Sequence, residues 1–328
     1  MADARIVTIF GGSGFVGRYV AQRMARAGWR VRVAVRRPNE ALFVKPYGVV
    51  GQVEPIQANL RDDASCRAAI AGADAVINCV GILFESGPQR FDAVHAQAAG
   101  RIARLSAEAG AKHLVHLSAI GADANSESAY CRSKADGEAA VLAAFPTAAI
   151  LRPSIIFGNE DQFFNRFAAM TPLSPLLPIV GAATRFQPVF VDDVAAAAAL
   201  AVTETHTGIY ELGGPDIASF RELMERMLRV IRRTRPVINL PVPLARIIAG
   251  TLDLVQFLSG GLLANRMITR DQVASLGVDN IVSDNAKTLA DLGITPQSMD
   301  GILETYLYSF RPQGQYTALT ESAENLKS

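Results

Sequence analysis

Short apolar runs recur along the first half of the chain, at 6–10, 31–35, 75–80, 114–118 and 148–151, and 53–57 reads as a further strand among them. Runs this short and continuous predict strands buried on both faces. Amphipathic stretches lie between them at 15–27, 64–70, 91–109 and 130–145 and predict helices. Strands alternating with helices predict an α/β fold with a parallel sheet, and right-handed crossovers make that sheet doubly wound.

After Pro153 the rhythm breaks. A Phe-rich stretch at 161–170 predicts a helix, and Pro172, Pro175 and Pro178 mark a loop. Strand patterns at 186–191 and 209–212, separated by an alanine-rich helix at 194–202, are expected to return to the sheet. From residue 219 onward the pattern is mostly helical, at 220–232, 244–258, 269–276, 286–292 and 299–310. The expected organisation is a large domain over 3–158, with 184–214 rejoining its sheet, and a smaller, mostly helical C-terminal domain over 159–183 and 215–310. The tail at 311–328 is polar and aperiodic, and is expected to be disordered or to dock on a partner.

Gly11, Gly14 and Gly17 follow the first strand at once and open the first helix. A strand, a tight glycine turn and a helix N-terminus make a phosphate site, because free backbone N–H groups and the positive end of the helix dipole converge there. Gly11 permits the turn, Gly14 lets the backbone approach a pyrophosphate, and Gly17 lets the helix lie close on the strand. In this setting the spacing G-x-x-G-x-x-G reads as nucleotide binding by a Rossmann-type sheet.

Composition narrows the rest. The chain has 328 residues, 50% hydrophobic and 19% charged, enough for a large core. A net charge of +1 makes no electrostatic case for nucleic acid. Cys66, Cys79 and Cys131 have no metal or redox spacing, and neither do His95, His113, His116 and His206, so no metal is expected. The odd cysteine count fits a reducing compartment. No apolar stretch reaches the roughly 18 residues of a spanning helix, and residues 1–4 lead into the first strand without a signal peptide. A soluble or peripheral protein of the cytoplasm, or of an equivalent compartment, is expected.

The residue ending the second strand separates the two nicotinamide cofactors: an acid takes the ribose 2′-OH of NAD, and a base pairs with a 2′-phosphate. Here the strand ends Val35-Arg36-Arg37, and Arg18 follows the last glycine. Arginine forks pair bidentately with phosphate oxygens. The sequence therefore favours NADPH (NADP) over NADH, the alternative being arginines on a solvated surface. Asp62, after Asn59 and Leu60, is placed either to hydrogen-bond an adenine amino group or to cap the helix from residue 64. Gly81, ending Asn78-Cys79-Val80-Gly81, leaves room for a passing cofactor or serves a plain turn.

Tyr130 and Lys134 lie one helical turn apart on one face, and Ser118 ends the fifth strand. A tyrosine hydroxyl with an ordinary pKa near 10 is a poor acid or base at neutral pH, and a nearby ammonium is expected to lower it. With Ser118, Tyr-x-x-x-Lys resembles the site of the short-chain dehydrogenase/reductase superfamily, in which the serine orients a carbonyl and the lysine also holds the nicotinamide ribose. Tyr130 as a packing residue and Lys134 as the anchor of a cofactor that never reacts fit the same residues. The expected cofactor set is Gly11, Ser13, Gly14, Phe15, Val16, Gly17, Arg18, Arg36, Arg37, Asn59, Leu60, Asp62, Cys79, Val80, Gly81, Ser118, Tyr130, Lys134, Pro153 and Ile156.

The middle of the chain narrows the resemblance. The run 152–167, Arg-Pro-Ser-Ile-Ile-Phe-Gly-Asn-Glu-Asp-Gln-Phe-Phe-Asn-Arg-Phe, resembles the atypical members of that superfamily. It is most similar to the NAD(P)H-binding accessory subunits of respiratory complex I, in their bacterial form. Gly137-Glu138, the run 187–194 and the run 268–273 support this, and the resemblance covers roughly 5–310. It implies a subunit that binds NADPH without turnover of its own, on the peripheral arm of NADH:ubiquinone oxidoreductase near the quinone site. It further implies a peripheral position on the cytoplasmic side of a bacterial inner membrane, or on the matrix side in a mitochondrion. Carried over, Gly11, Gly14 and Gly17 hold the pyrophosphate, Arg18 and Arg36 the 2′-phosphate, and Lys134 the ribose.

The segment 237–263 holds an apolar helix broken by Arg246 and Asp253, with Leu254 and Phe257 among its apolar positions. Such a segment is either core or a contact with protein or lipid. Two functions stay open beside each other: the accessory subunit, and a free-standing NADP-dependent reductase, epimerase or dehydratase using Ser118, Tyr130 and Lys134.

Overall fold

The runs of the first half become strands, which helices cover on both sides except at the edge run 53–57, where only Val53 is buried. The computed structural model describes residues 5–258 and 270–316. In chain order the first strands are β1 (Ile6–Phe10), β2 (Arg30–Val35), β3 (Val53–Gln57), β4 (Ala75–Asn78), β5 (His113–Leu117) and β6 (Ala149–Pro153). There follow β7 (Ile156–Phe157), β8 (Leu177–Val180), β9 (Arg185–Phe186), β10 (Val189–Phe190), β11 (Gly208–Leu212), β12 (Ala218–Ser219) and β13 (Val237–Leu240). The helices are α1 (Phe15–Arg26), α2 (Asp63–Ile70), α3 (Ala98–Glu108), α4 (Ala129–Ala144) and α5 (Phe164–Met170). Then come α6 (Val191–Thr203), α7 (Phe220–Val230), α8 (Val242–Leu258), α9 (Arg270–Ser275) and α10 (Met299–Leu307).

One sheet runs in the order β11, β6, β5, β4, β1, β2, β3. All its pairings are parallel. This is the doubly wound, Rossmann-type sheet expected from the alternation. Its order reverses between β1 and β4, so a crevice opens beyond the carboxyl ends of those strands, where such sheets bind ligands.

The two faces have separate cores. α1 and α6 cover one, and α2, α3 and α4 the other. The alanine run of α6 serves close packing: Ala195, Ala197 and Ala198 are fully buried, and α1 lies against them. Thr8 is fully buried within β1 and stays satisfied by donating to the Ala69 carbonyl at 2.8 Å. A third core gathers Phe157, Phe164, Phe186 and Phe220 with Met224 and Met227 of α7 and Leu303 and Leu307 of α10. A capping box between Ser219 and Glu222 starts α7. The Tyr306 hydroxyl donates to the buried Asp161 carboxylate at 2.6 Å and ties α10 to the loop before α5.

The structure departs from the expected elements where a local group intervenes. Residues 186–191 do not return to the large sheet; they split into β9 and β10, which pair with β12 and β7. Pro188 between them has no N–H for a ladder, and the Gln187 side chain donates to the Gly214 carbonyl instead. Of the two expected returning strands, β11 alone joins the sheet. The expected 91–109 helix begins as a π turn at Asp92–Gln97 before α3. β4 stops at Asn78, whose side-chain oxygen accepts from the Val80 N–H at 3.1 Å. The 286–292 helix is a short 3-10 turn, Ala290–Leu292, closed by left-handed Gly293.

Within 237–263 the apolar segment has one face in the core and one face exposed. Ala245 and Ala249 of α8 are buried with Val180 and Val273, whereas Leu244 and Ile247 are 46% and 65% exposed. Residues 259–263, 268–269 and 317–328 lie outside the described residues, as do the side chains of Leu254 and Phe257. Among the described residues no helix is long and apolar enough to cross a membrane.

Candidate functional site

The glycine turn is built by contact. Gly11 is left-handed, at φ +72°, and its N–H donates to the Ala34 carbonyl at 3.1 Å. A β-carbon there would stand 3.3 Å from the Cys79 carbonyl carbon and 3.1 Å from a Val80 methyl, which places the end of β4 against the turn. At Gly17 a β-carbon would stand 2.2 Å from the Gly11 carbonyl oxygen. Gly14 caps α1 in an extended conformation, with no side-chain hydrogen bond to the cap and no acid in its first turn. Uncapped amides at the positive end of a 12-residue helix suit an anion. Ser13, Phe15 and Val16 flank this turn: Arg18 donates to the Ser13 carbonyl at 3.3 Å, and Val16 packs on the first core. The Phe15 ring lies 3.4 Å from the β-carbon position of Gly158.

The three arginines have different partners. Arg18 donates to the Glu160 carboxylate at 2.9 Å, and its guanidinium lies 4.9 Å above the Phe43 ring. Arg37 pairs with Glu40 at 2.9 Å in the open. Arg36, directly after β2, is exposed and faces the neutral Gln89 carboxamide, and it pairs with no carboxylate among the described residues. Asp62 is the cap of α2, accepting from the Ala64 and Ser65 amides at 3.1 and 3.2 Å, so of its two readings the structure shows the capping one. Asn59 and Leu60 lie beside it, with the Leu60 carbonyl accepting from Arg101 at 2.6 Å.

At the other end of the crevice Ser118, Tyr130 and Lys134 are brought to one edge. Lys134 is buried, and its ammonium donates to the Leu117 carbonyl at 3.3 Å. A β-carbon at Gly81 would stand 3.5 Å from that ammonium. The Ser118 hydroxyl is buried without a partner among the described residues. Pro153, at the end of β6, is buried and Ile156 half-buried. An orphaned hydroxyl, a sparsely bonded ammonium and a bare glycine turn along one crevice fit a dinucleotide.

Electrostatics corrects one expectation. Burial pulls Lys134 down to about 8, against the opposing pull of Glu138. Burial also pushes the Tyr130 hydroxyl above its ordinary value, helped by Cys131 and Asp271. The neighbouring ammonium was expected to lower it. Its Nζ lies 5.8 Å from the Tyr130 ring centre, and desolvation sets the direction of the shift. Tyr130 is therefore held as a neutral phenol.

His95 belongs to this edge and was not legible in the sequence. Its Nε2 accepts from the Ile82 N–H at 3.0 Å, and its Nδ1 meets the Ser133 hydroxyl at 2.9 Å. Since that hydroxyl donates to the Tyr130 carbonyl, Nδ1 carries the proton. Burial and the Lys134 charge drive His95 down to about 2, so it stays neutral. Its ring and that of Phe91 pack edge-on against Tyr130 at 5.4 and 5.7 Å. The signals are a π turn and contacts to residues 38 positions away, neither of which shows in local sequence. Among the described residues no cluster of His, Cys, Asp and Glu could hold a metal ion.

Comparison with known proteins gives the site a context. Residues 7–213 match the NAD dependent epimerase/dehydratase family. The chain is 35% identical over 316 residues, 94% of its length and 79% of the relative's, to the mitochondrial NADH dehydrogenase [ubiquinone] 1 alpha subcomplex subunit 9 of Arabidopsis thaliana. It is 30% identical over 311 residues, 94% of its length and 80% of the relative's, to the mitochondrial NADH-ubiquinone oxidoreductase 40 kDa subunit of Neurospora crassa. Among solved structures it resembles the NADPH-dependent quinone oxidoreductase of Escherichia coli, with a TM-score of 0.65 at 19% identity, covering 92% of this chain and 98% of that one.

Proposed function

Because the chain belongs to the NAD dependent epimerase/dehydratase family, and within it to the group of the alpha subcomplex subunit 9 proteins of NADH dehydrogenase (ubiquinone), we propose that it is an NADP(H)-binding accessory subunit of respiratory complex I. One observation carries the view that its cofactor is structural. The crevice has the parts that hold a dinucleotide, yet burial raises the Tyr130 hydroxyl above its ordinary value, which disfavours the phenolate and moves the group away from a value suited to acid-base work at neutral pH. Bound NADPH supplies hydride chemistry; the chain's own residues position it and shield it.

The amides around Gly11, Gly14 and Gly17 take the pyrophosphate, flanked by Ser13, Phe15 and Val16. Arg36 exchanges the Gln89 carboxamide for the 2′-phosphate, a stronger charge-assisted pair. Arg18 supports it while remaining on Glu160, and Arg37 lies at the rim. Asn59, Leu60 and the backbone at Asp62 border the adenine. Cys79, Val80 and Gly81 form the wall that the cofactor passes, and Lys134 donates to the ribose. Ser118, Tyr130, Pro153 and Ile156 surround the nicotinamide. The partners are subunits of the peripheral arm near the quinone site, and the exposed side of α8 faces a neighbour or the membrane surface. The position is the cytoplasmic side of a bacterial inner membrane, or the matrix side in a mitochondrion.

Native gel separation of solubilised membranes, probed for this chain and for extracted nucleotide, tests the reading. Co-migration with NADH dehydrogenase activity and stoichiometric NADPH are expected. A free chain that consumes NADPH with small carbonyl substrates would establish the second reading, a free-standing NADP-dependent reductase, epimerase or dehydratase. The presence of Ser118, Tyr130 and Lys134 together at one edge favours that alternative.

A further inference from the structure

Residues 271–283 are fastened along the edge that holds Ser118, Tyr130 and Lys134. Asp271, in the first turn of α9, places its carboxylate on the N-terminus of α4, 142 residues from Ala129 in sequence. Its Oδ1 accepts from the Ala129 N–H at 2.5 Å. Its Oδ2 accepts from the Ser128 hydroxyl at 2.9 Å and the Tyr130 N–H at 3.2 Å. A carboxylate there satisfies donors the helix cannot and sits at the positive end of its dipole. Gln272 donates to the Leu83 carbonyl at 3.4 Å. Further on, Asn280 donates to the Ile120 carbonyl at 3.1 Å and accepts from the Ser154 hydroxyl at 2.7 Å.

These anchors ring the site. Leu83 is two residues from Gly81, Ile120 two from Ser118, Ala129 one from Tyr130, and Ser154 one from Pro153. On its other side the segment is held by Val273, buried against Ala245 and Ala249 of α8. Distant parts of the chain that would otherwise be independent loops are thereby joined along one edge.

We propose that residues 271–283 form a strap that closes the nicotinamide end of the cofactor site, with Asp271 as the residue that positions Tyr130 beneath it. This rests on the cofactor reading above and deepens it: the strap slows exchange of the bound cofactor and bars a carbonyl substrate from Tyr130. Asp271 touches neither cofactor nor reacting atoms; it acts through the first turn of α4.

Stopped-flow release of NADPH from the full chain, read by its fluorescence, tests this in wild type, Asp271→Asn and Asp271→Glu. Release from Asp271→Asn is expected to be about tenfold faster, the size of losing a charged helix cap. Acrylamide should quench the bound NADPH more strongly in that variant, and Asp271→Glu should return both values toward wild type. Equal release and equal quenching in all three proteins overturn the strap. If Asp271→Asn does not fold, Gln272→Ala leaves the cap in place and loosens the contact at Leu83; unchanged release there overturns the strap, and faster release supports it. If the wild-type chain binds no NADPH, the cofactor reading is what fails. The strap is then judged by hydrogen exchange at Ala129 and Tyr130, where faster exchange in the variant upholds it and unchanged exchange refutes it.

Discussion

A β-carbon on Gly17 would stand 2.2 Å from the Gly11 carbonyl oxygen, so the first helix rests directly on the glycine turn. Gly17→Ala is expected to push α1 away from β1, to cost about 1–3 kcal/mol of stability, and to abolish NADPH binding in a fluorescence titration. Gly28 makes the comparison: it is left-handed at φ +81° with open space around it. Gly28→Ala pays only a backbone cost of about 1 kcal/mol and should bind as wild type does. Wild-type affinity in Gly17→Ala would remove the phosphate role from this turn.

Arg36 and Arg18 should separate in a titration with both cofactors. Arg36 faces a neutral carboxamide, whereas Arg18 already has the Glu160 carboxylate at 2.9 Å. Arg36→Asp is expected to weaken NADPH by about 1.5–3 kcal/mol, the worth of a hydrogen bond to a charged group, and to change NADH much less. Arg18→Ala should affect the two cofactors more evenly. Equal losses of both cofactors in Arg36→Asp would show that no 2′-phosphate is read there.

The buried Lys134 predicts a pH dependence with a definite sign. Its folded value is drawn down to about 8 from 10.5. Between those values the unfolded chain binds more protons at this group than the folded chain, so stability rises with pH; below about 8 the penalty is fully present. Tyr130, displaced upward, acts in the opposite direction above its ordinary value of 10.0, and the thiols of Cys66 and Cys79, pushed up by burial from 9.0 to about 11 and about 12, do so above 9.0, which leaves pH 8 to 9 as the least opposed window. Urea unfolding across that window should show a rising midpoint in the cofactor-free chain. Lys134→Met should flatten it, and an unchanged slope in that variant would assign the effect elsewhere.

Beneath the same edge lies a buried charge network. Arg152 donates to Glu138 at 2.9 and 2.6 Å and to Glu211 at 3.5 Å. Arg152→Met leaves two buried carboxylates without their cation and is expected to cost about 3–5 kcal/mol. Adding Glu138→Gln should recover part of the loss. A double variant no more stable than Arg152→Met would mean that charge burial is not the cause.

Tyr130→Phe distinguishes a structural cofactor from a reacting one. The phenol is not expected to contribute to retention, which depends on the glycine turn, the arginine end, Lys134 and the 271–283 strap. Bound NADPH after gel filtration should match wild type. A protein that consumes NADPH with carbonyl substrates and loses that activity in Tyr130→Phe would instead carry the reductase reading.

Much of this protein is determined by local sequence. β1, the glycine turn and α1 are adjacent, and both the strand's continuous apolar run and the helix's amphipathic period are properties of a few consecutive residues. Tyr130 and Lys134 share a face because helical geometry requires it. The tertiary structure decided what charge and hydrogen bonding do. Arg18 meets Glu160 across 142 positions, His95 meets Ser133 across 38, and Asp271 caps a helix 142 positions away. It also decided the state of Tyr130, where desolvation raises the hydroxyl although spacing alone had suggested an ammonium that lowers it. Period and adjacency are written within one element, but burial and pairing depend on which distant elements the sheet order brings together.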